Sequence, residues 1–201
     1  MKLFLGFYNK SVILTYIGGA AAVAGMALAM LGYMKYAILC LIICGIADVF
    51  DGTIARRCKR SEDEKEFGIQ IDSLTDMVNF AVFPVVISFA LGNTSWYHIL
   101  ACALYVIAAI TRLGYFNVVT AHSAGEKVYT GLPVTFSSPI TVLAYVVGRL
   151  LGITEILVFA CICLMAFFFV LKFKLKKPGK IVYIIGGILT VAVIAAVIIF
   201  G

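Results

Sequence analysis

Met77 to Thr111 runs for 35 residues without an Asp, Glu, Lys or Arg side chain. Such a run must either cross a bilayer or be buried completely, and this chain cannot bury it. Of its 201 residues, 63% are hydrophobic and only 13% are charged. Soluble domains carry about half apolar and about a quarter charged residues. A soluble fold of this size has too little interior to hide so many apolar side chains. The expected fold is therefore all-α: a polytopic membrane helix bundle forming one membrane domain over residues 1–201. Disordered, fibrous and disulfide-scaffold classes are excluded by the same numbers. The net charge of +6 reads as Lys- and Arg-rich cytoplasmic loops, and no nucleic-acid partner is expected.

A spanning helix takes about 20 apolar residues. Ser11 to Met34, framed by Lys10 and Lys35, is the first, and Tyr36 to Ala55 the second. Met77 to Thr111 is too long for one crossing of a ~30 Å core at 1.5 Å per residue. Gly92-Asn93-Thr94-Ser95 divides it. The third span is then Asp72 to Leu91 and the fourth Tyr97 to Asn117, with Arg112 inside it. Leu132 to Gly148, Ile153 to Leu171 and Ile181 to Phe200 complete seven. The first apolar run is too long for the core of a signal peptide. With the N-terminus in the cytoplasm, 13 of the 16 basic residues face the cytoplasm, and only Lys35 and Arg149 face the other side. The positive-inside rule selects that orientation. Five of the six cysteines lie in apolar runs and none has zinc-site spacing, so they read as small buried hydrophobes.

Asp48, Asp51, Asp72 and Asp76 fall at the cytoplasmic ends of the second and third spans. Charge at membrane depth costs about 2.5–3.5 kcal/mol per residue, so a set of four requires compensation. Asp48 and Asp51 are spaced i, i+3 and Asp72 and Asp76 i, i+4, so each pair shares a helix face. One loop joins the two helices, and four carboxylates can converge. All-oxygen ligand sets suit Mg²⁺, Mn²⁺ or Ca²⁺ rather than zinc. A single acid at a span end can merely cap or snorkel. Four at this spacing, together with Gly52, Ala55, Arg56 and Gly68, read as a site. Gly52 and Ala55 lack bulk and admit a ligand close to the helix, although small residues also serve helix packing in membranes.

Asp48-x-x-Asp51-Gly52-x-x-Ala55-Arg56, then Gly68-x-x-x-Asp72-x-x-x-Asp76, resembles the signature of the CDP-alcohol phosphotransferases. These are membrane enzymes that move a phosphatidyl-type group from a CDP-linked lipid to an alcohol. The block from Phe67 to Val78, Phe83-Pro84, Arg112-Leu113-x-x-Phe116-Asn117 and Gly131-Leu132-Pro133 are similar to the phosphatidylserine synthase branch. The resemblance covers residues 10–177 and leaves the span at 181–200 as an addition to a six-helix core. Eleven residues separate Arg56 from Gly68, three more than in the family pattern. The excess lies around Ser61-Glu62-Asp63-Glu64-Lys65, where a cytoplasmic loop is expected. Gly18 stands where the family often has Asn.

The resemblance implies transfer of the phosphatidyl group of CDP-diacylglycerol to the hydroxyl of L-serine by direct displacement, with release of CMP. It implies Asp48, Asp51, Asp72 and Asp76 as ligands of one or two Mg²⁺ or Mn²⁺ ions, with Asp76 also the general base. Thr15, Gly52, Ala55, Arg56 and Gly68 would bind the nucleotide. A homodimer among cell-membrane lipids, with the active site facing the cytoplasm, is implied as well.

Arg112, Asn117 and Asn79 are candidate substrate-binding residues. The Arg112 guanidinium suits a carboxylate or a phosphate, the serine carboxylate or the lipid phosphate here, or else a salt bridge to one of the four aspartates. Asn79, one turn beyond Asp76, can orient substrate or join two helices. Glycerol phosphate or inositol phosphate as acceptor would bring a dianion and require several basic residues, but only Arg112, Arg56 and Lys127 are near. A cation channel or transporter would explain the acids but not Gly52, Ala55 and Gly68, and the chain shows no repeats or paired broken helices. His98 falls at the external end of its span and His122 in a loop, so neither is a candidate for catalysis.

Overall fold

Each charge-free run becomes a helix because lipid offers no partner for a free N–H or C=O, and a helix satisfies both within itself. The computed structural model describes residues 6–8, 10–122, 128–176, 194–195 and 197–198. Helix α1 is Lys10–Met30, α2 is Met34–Arg57 and α3 is Glu62–Asp76. A π-helical turn, Met77–Val82, leads without a break into α4, Phe83–Ala90. Then come α5, Trp96–His122, α6, Ser137–Leu151, and α7, Thr154–Val170. Among the described residues five helical stretches are long and apolar enough to cross a membrane, and the 17-residue α7 is a shorter apolar helix. The protein is a membrane helix bundle, as its composition demands. Gly92, at φ +102°, makes the expected break between α4 and α5.

Of the expected seventh span, Ile181 to Phe200, residues 181–193, 196 and 199–200 lie outside the described part. Ile194, Ala195, Val197 and Ile198 are helical. Val197 is buried, and Lys35 Nζ donates to the Ile198 carbonyl at 2.5 Å. Among the described residues two short strands accompany the helices. Strands β1, Val128–Thr130, and β2, Lys174–Lys176, pair antiparallel with Val128 opposite Lys176. They tie the segment before α6 to the segment after α7.

The charged excess around Ser61 forms the start of a helix, not the expected loop. Ser61 Oγ accepts from the Glu64 N–H at 3.2 Å, and the Ser61 N–H donates to Glu64 Oε2 at 2.8 Å. This reciprocal capping box starts α3. Glu62, Asp63 and Glu64 fill the first turn, where the helix dipole favours negative charge. Lys65 pairs with Glu62 at 2.6 Å. From Glu62 to Ala90 the chain is helical for 29 residues, or about 43 Å at 1.5 Å per residue. That exceeds a ~30 Å hydrocarbon core, so the charged turns project beyond it.

Small residues let α1 lie close to α2. Gly18, Ala22, Gly25 and Ala29 follow helical spacing along α1. A Cβ on Gly18 would stand 3.3 Å from both the Ala47 Cβ and Asn79 Nδ2. One on Gly25 would collide with the Phe83 ring and with Cys40. Such contacts are how membrane helices associate without a hydrophobic drive between them. Helix α7 packs on α5 and α6 around Tyr105, Ile162, Met165 and Phe169, all buried. Ile17, Leu104, Ile107 and Leu164 are more than half exposed, which suits a face turned to lipid.

Candidate metal centre

Helices α2 and α3 run in opposite directions and are joined by the four residues Cys58 to Ser61, so their neighbouring ends lie at one end of the bundle. On α2, Asp48, Asp51, Gly52 and Ala55 follow the i, i+3, i+4, i+7 stripe. On α3, Gly68, Asp72 and Asp76 follow i, i+4, i+8. The α-helix holds this register up to Asp76, where the π-turn begins.

Asp48, Asp72 and Asp76 each contribute a carboxylate oxygen to a group within 4.8 Å of one another. Asp76 is buried, and Asp48 and Asp72 are half-buried. Asp51 is buried beside them, with Thr15 Oγ1 of α1 donating to its Oδ2 at 2.8 Å. The ion pair of Lys65 with Glu62 lies outside this cluster. Carboxylates gathered this closely, at this burial, repel one another strongly. A hard divalent cation with oxygen preference fits the donor set.

The other candidate residues separate into groups. Thr15 meets Asp51 rather than standing apart from the acids. Gly52 and Ala55 are half-buried on the acidic face of α2. Arg56 lies in the last turn of that helix. Gly68 lies one turn before Asp72, and a Cβ there would stand 3.2 Å from Arg60 Nη1. Asn117 is engaged with another helix: its Nδ2 donates to Ser73 Oγ at 2.9 Å, linking α5 to α3 next to Asp72. Asn79 is 3% exposed, and its Oδ1 has no hydrogen-bond partner. Lys127 lies outside the described residues. His122 is the last residue of α5 rather than part of a loop.

Arg112 is 6% exposed and makes no ion pair with the aspartates. Its Nε donates to the Leu132 carbonyl at 3.1 Å, and its guanidinium lies 5.4 Å from the centroid of the Phe116 ring. The turn at Gly131, φ +76°, brings the chain against it: a Cβ there would be 3.4 Å from Arg112 Nε and 3.1 Å from the Leu171 carbonyl. The planar ends of the guanidinium make no hydrogen bond to the described residues.

Sequence reasoning missed Ser73, Tyr105 and Ser137. Tyr105 Oη and Ser137 Oγ each donate to the Phe80 carbonyl at 2.6 Å, inside the π-turn that follows Asp76. The available signal was Pro84, four residues after Phe80. Proline has no N–H to give the carbonyl four residues back, and its ring crowds that carbonyl.

Fold and site together define a class: an integral membrane protein with buried carboxylates converging at one end of a helix bundle. The sequence profile of the CDP-alcohol phosphatidyltransferases matches residues 8–200. The chain belongs to that family. It is 28% identical over 148 residues to an archaetidylserine synthase of Methanothermobacter thermautotrophicus, covering 73% of this chain and 62% of that protein. It is 32% identical over 133 residues to a CDP-diacylglycerol–serine O-phosphatidyltransferase of Saccharomyces cerevisiae, covering 63% and 45%. The enzyme of that name from Helicobacter pylori strain 26695 is 30% identical over 142 residues, covering 68% and 58%. The chain thus spans less than two thirds of the length of each of these relatives.

Proposed function

We propose that the chain is a phosphatidylserine synthase. It moves the phosphatidyl group of CDP-diacylglycerol to the hydroxyl of L-serine and releases CMP. The observation that carries this reading is the meeting of Asp48, Asp72 and Asp76 oxygens within 4.8 Å. The names of the relatives supply the acceptor, serine.

Asp48, Asp72, Asp76 and the oxygen of Asp51 not engaged by Thr15 would hold one or two Mg²⁺ or Mn²⁺ ions. When bound, such an ion neutralises pyrophosphate oxygens and the charge that develops on departing CMP. Asp76 takes the serine hydroxyl proton, since a neutral hydroxyl is a weak nucleophile. The serine oxygen forms a bond to the phosphorus that carries diacylglycerol, and the bond from that phosphorus to the CMP oxygen breaks. Gly52 and Ala55 lack bulk and provide a close approach for the cytidine nucleotide, which Gly68 and Arg56 also help to bind. Thr15 acts at the same end by holding Asp51.

Arg112 receives the serine carboxylate through the planar ends of its guanidinium, while Nε remains on Leu132. Asn79 offers its unpartnered oxygen to a donor on the acceptor substrate. Asn117 steadies α3 beside Asp72 through Ser73. The enzyme works as a homodimer in the cell membrane with this end of the bundle toward the cytoplasm, where the basic residues concentrate.

The test is purified protein with labelled CDP-diacylglycerol and a panel of serine, glycerol phosphate and inositol phosphate. CMP release that requires serine and divalent metal is expected. Release with another acceptor alone would move the assignment within the family, and no release with any acceptor would favour ion transport.

A further inference from the structure

The π-turn directly after Asp76 has a specific physical cause. In an α-helix the Phe80 carbonyl would accept from residue 84, but Pro84 has no N–H. The helix widens instead, and the Phe83 N–H reaches five residues back to the Val78 carbonyl. Phe80 is fully buried, so its carbonyl cannot turn to water. Tyr105 Oη from α5 and Ser137 Oγ at the start of α6 each reach it at 2.6 Å. Both donors are themselves fully buried. A carbonyl oxygen has two lone pairs, and both are used.

A π-turn contains one residue more than the α-helical turn it replaces. Each residue turns an α-helix by about 100°. Without the widened turn, everything before it, including Asp72 and Asp76, would rotate by about 100° relative to α4. Asp76 would then no longer face Asp48.

The geometry points to Tyr105 and Ser137 as positioning residues for Asp76: their hydroxyls satisfy the carbonyl that Pro84 leaves without a partner and so fix the shape of the π-turn that aims this carboxylate into the acidic cluster. Neither residue touches the acids; each acts through the Phe80 carbonyl. The inference rests on the metal-site reading above.

The experiment compares wild type, Tyr105→Phe and Ser137→Ala, purified in detergent, by Mn²⁺ binding followed by electron paramagnetic resonance. Folding is checked in parallel by circular dichroism and gel filtration. Each single variant leaves one donor on Phe80, so both are expected to fold. Mn²⁺ affinity is expected to fall on the order of tenfold in each, the worth of roughly one hydrogen bond. If the variants melt earlier but bind Mn²⁺ as wild type does, the residues only support the fold and the inference is overturned. If wild type itself binds no Mn²⁺, the metal-site reading fails and this one falls with it.

Discussion

Thr15 on α1 donates a 2.8 Å hydrogen bond to Asp51 on α2, so one oxygen of a buried carboxylate is already engaged within the protein. The bond joins two helices. Thr15→Val keeps the shape and removes the donor. A hydrogen bond to a charged group is worth about 1.5–3 kcal/mol, and the variant is expected to lose roughly that much stability. Thermal melting in detergent measures it, and Thr15→Ser should recover most of the loss.

The acidic cluster gives opposite signs with and without metal. In EDTA, Asp48, Asp72 and Asp76 repel one another, and Asp72→Asn removes one of the charges. The variant stripped of metal is expected to melt above wild type stripped of metal. With saturating Mg²⁺ the order should reverse, because a ligand has been lost. EDTA should abolish turnover in wild type, and Mg²⁺ or Mn²⁺ should restore it. Identical melting curves for the two proteins in both conditions would refute the metal site.

The extra residues at the start of α3 cap a helix whose acids lie two turns and more away. Removing Ser61 to Asp63 deletes the cap and part of the first turn. Metal-dependent turnover is expected to stay within a few-fold of wild type. Stability should drop by about 1 kcal/mol, as for other lost N-caps. Complete loss of turnover in a folded deletion would show that these turns touch the nucleotide or close the site.

Arg112 has no acid to neutralise among the described residues, so its charge is available to substrate. Arg112→Lys keeps the charge and loses the planar fork. The serine KM is expected to rise by about tenfold or more, in line with a charged hydrogen bond, while the CDP-lipid KM stays nearly unchanged. A rise in the CDP-lipid KM instead would assign Arg112 to phosphate.

Composition alone determined that this chain is a membrane helix bundle, because no other fold disposes of so many apolar side chains. The i, i+3 and i, i+4 spacings determined which aspartates share a face, since an α-helix fixes that locally. Gly92 marked its break correctly for the same reason. The stretch from Ser61 to Lys65 was misread because its charge suggested a loop. The Ser61–Glu64 box is nevertheless a local helix start, and its spacing was there to be seen.

What lies between helices followed a different rule. That Asn117 meets Ser73, that Arg112 rests on the Leu132 carbonyl and that Thr15 reaches Asp51 depend on how α1, α5 and the turn at Gly131 pack against their neighbours. Sequence spacing carries no information about contacts between residues 20 to 44 positions apart. The π-turn shows the division within one segment. Pro84 determined that the Phe80 carbonyl would lack its helical partner, but only the packing of α5 and α6 decided that Tyr105 and Ser137 would satisfy it. A buried carbonyl must find a donor, and which donor arrives is a property of the assembled bundle.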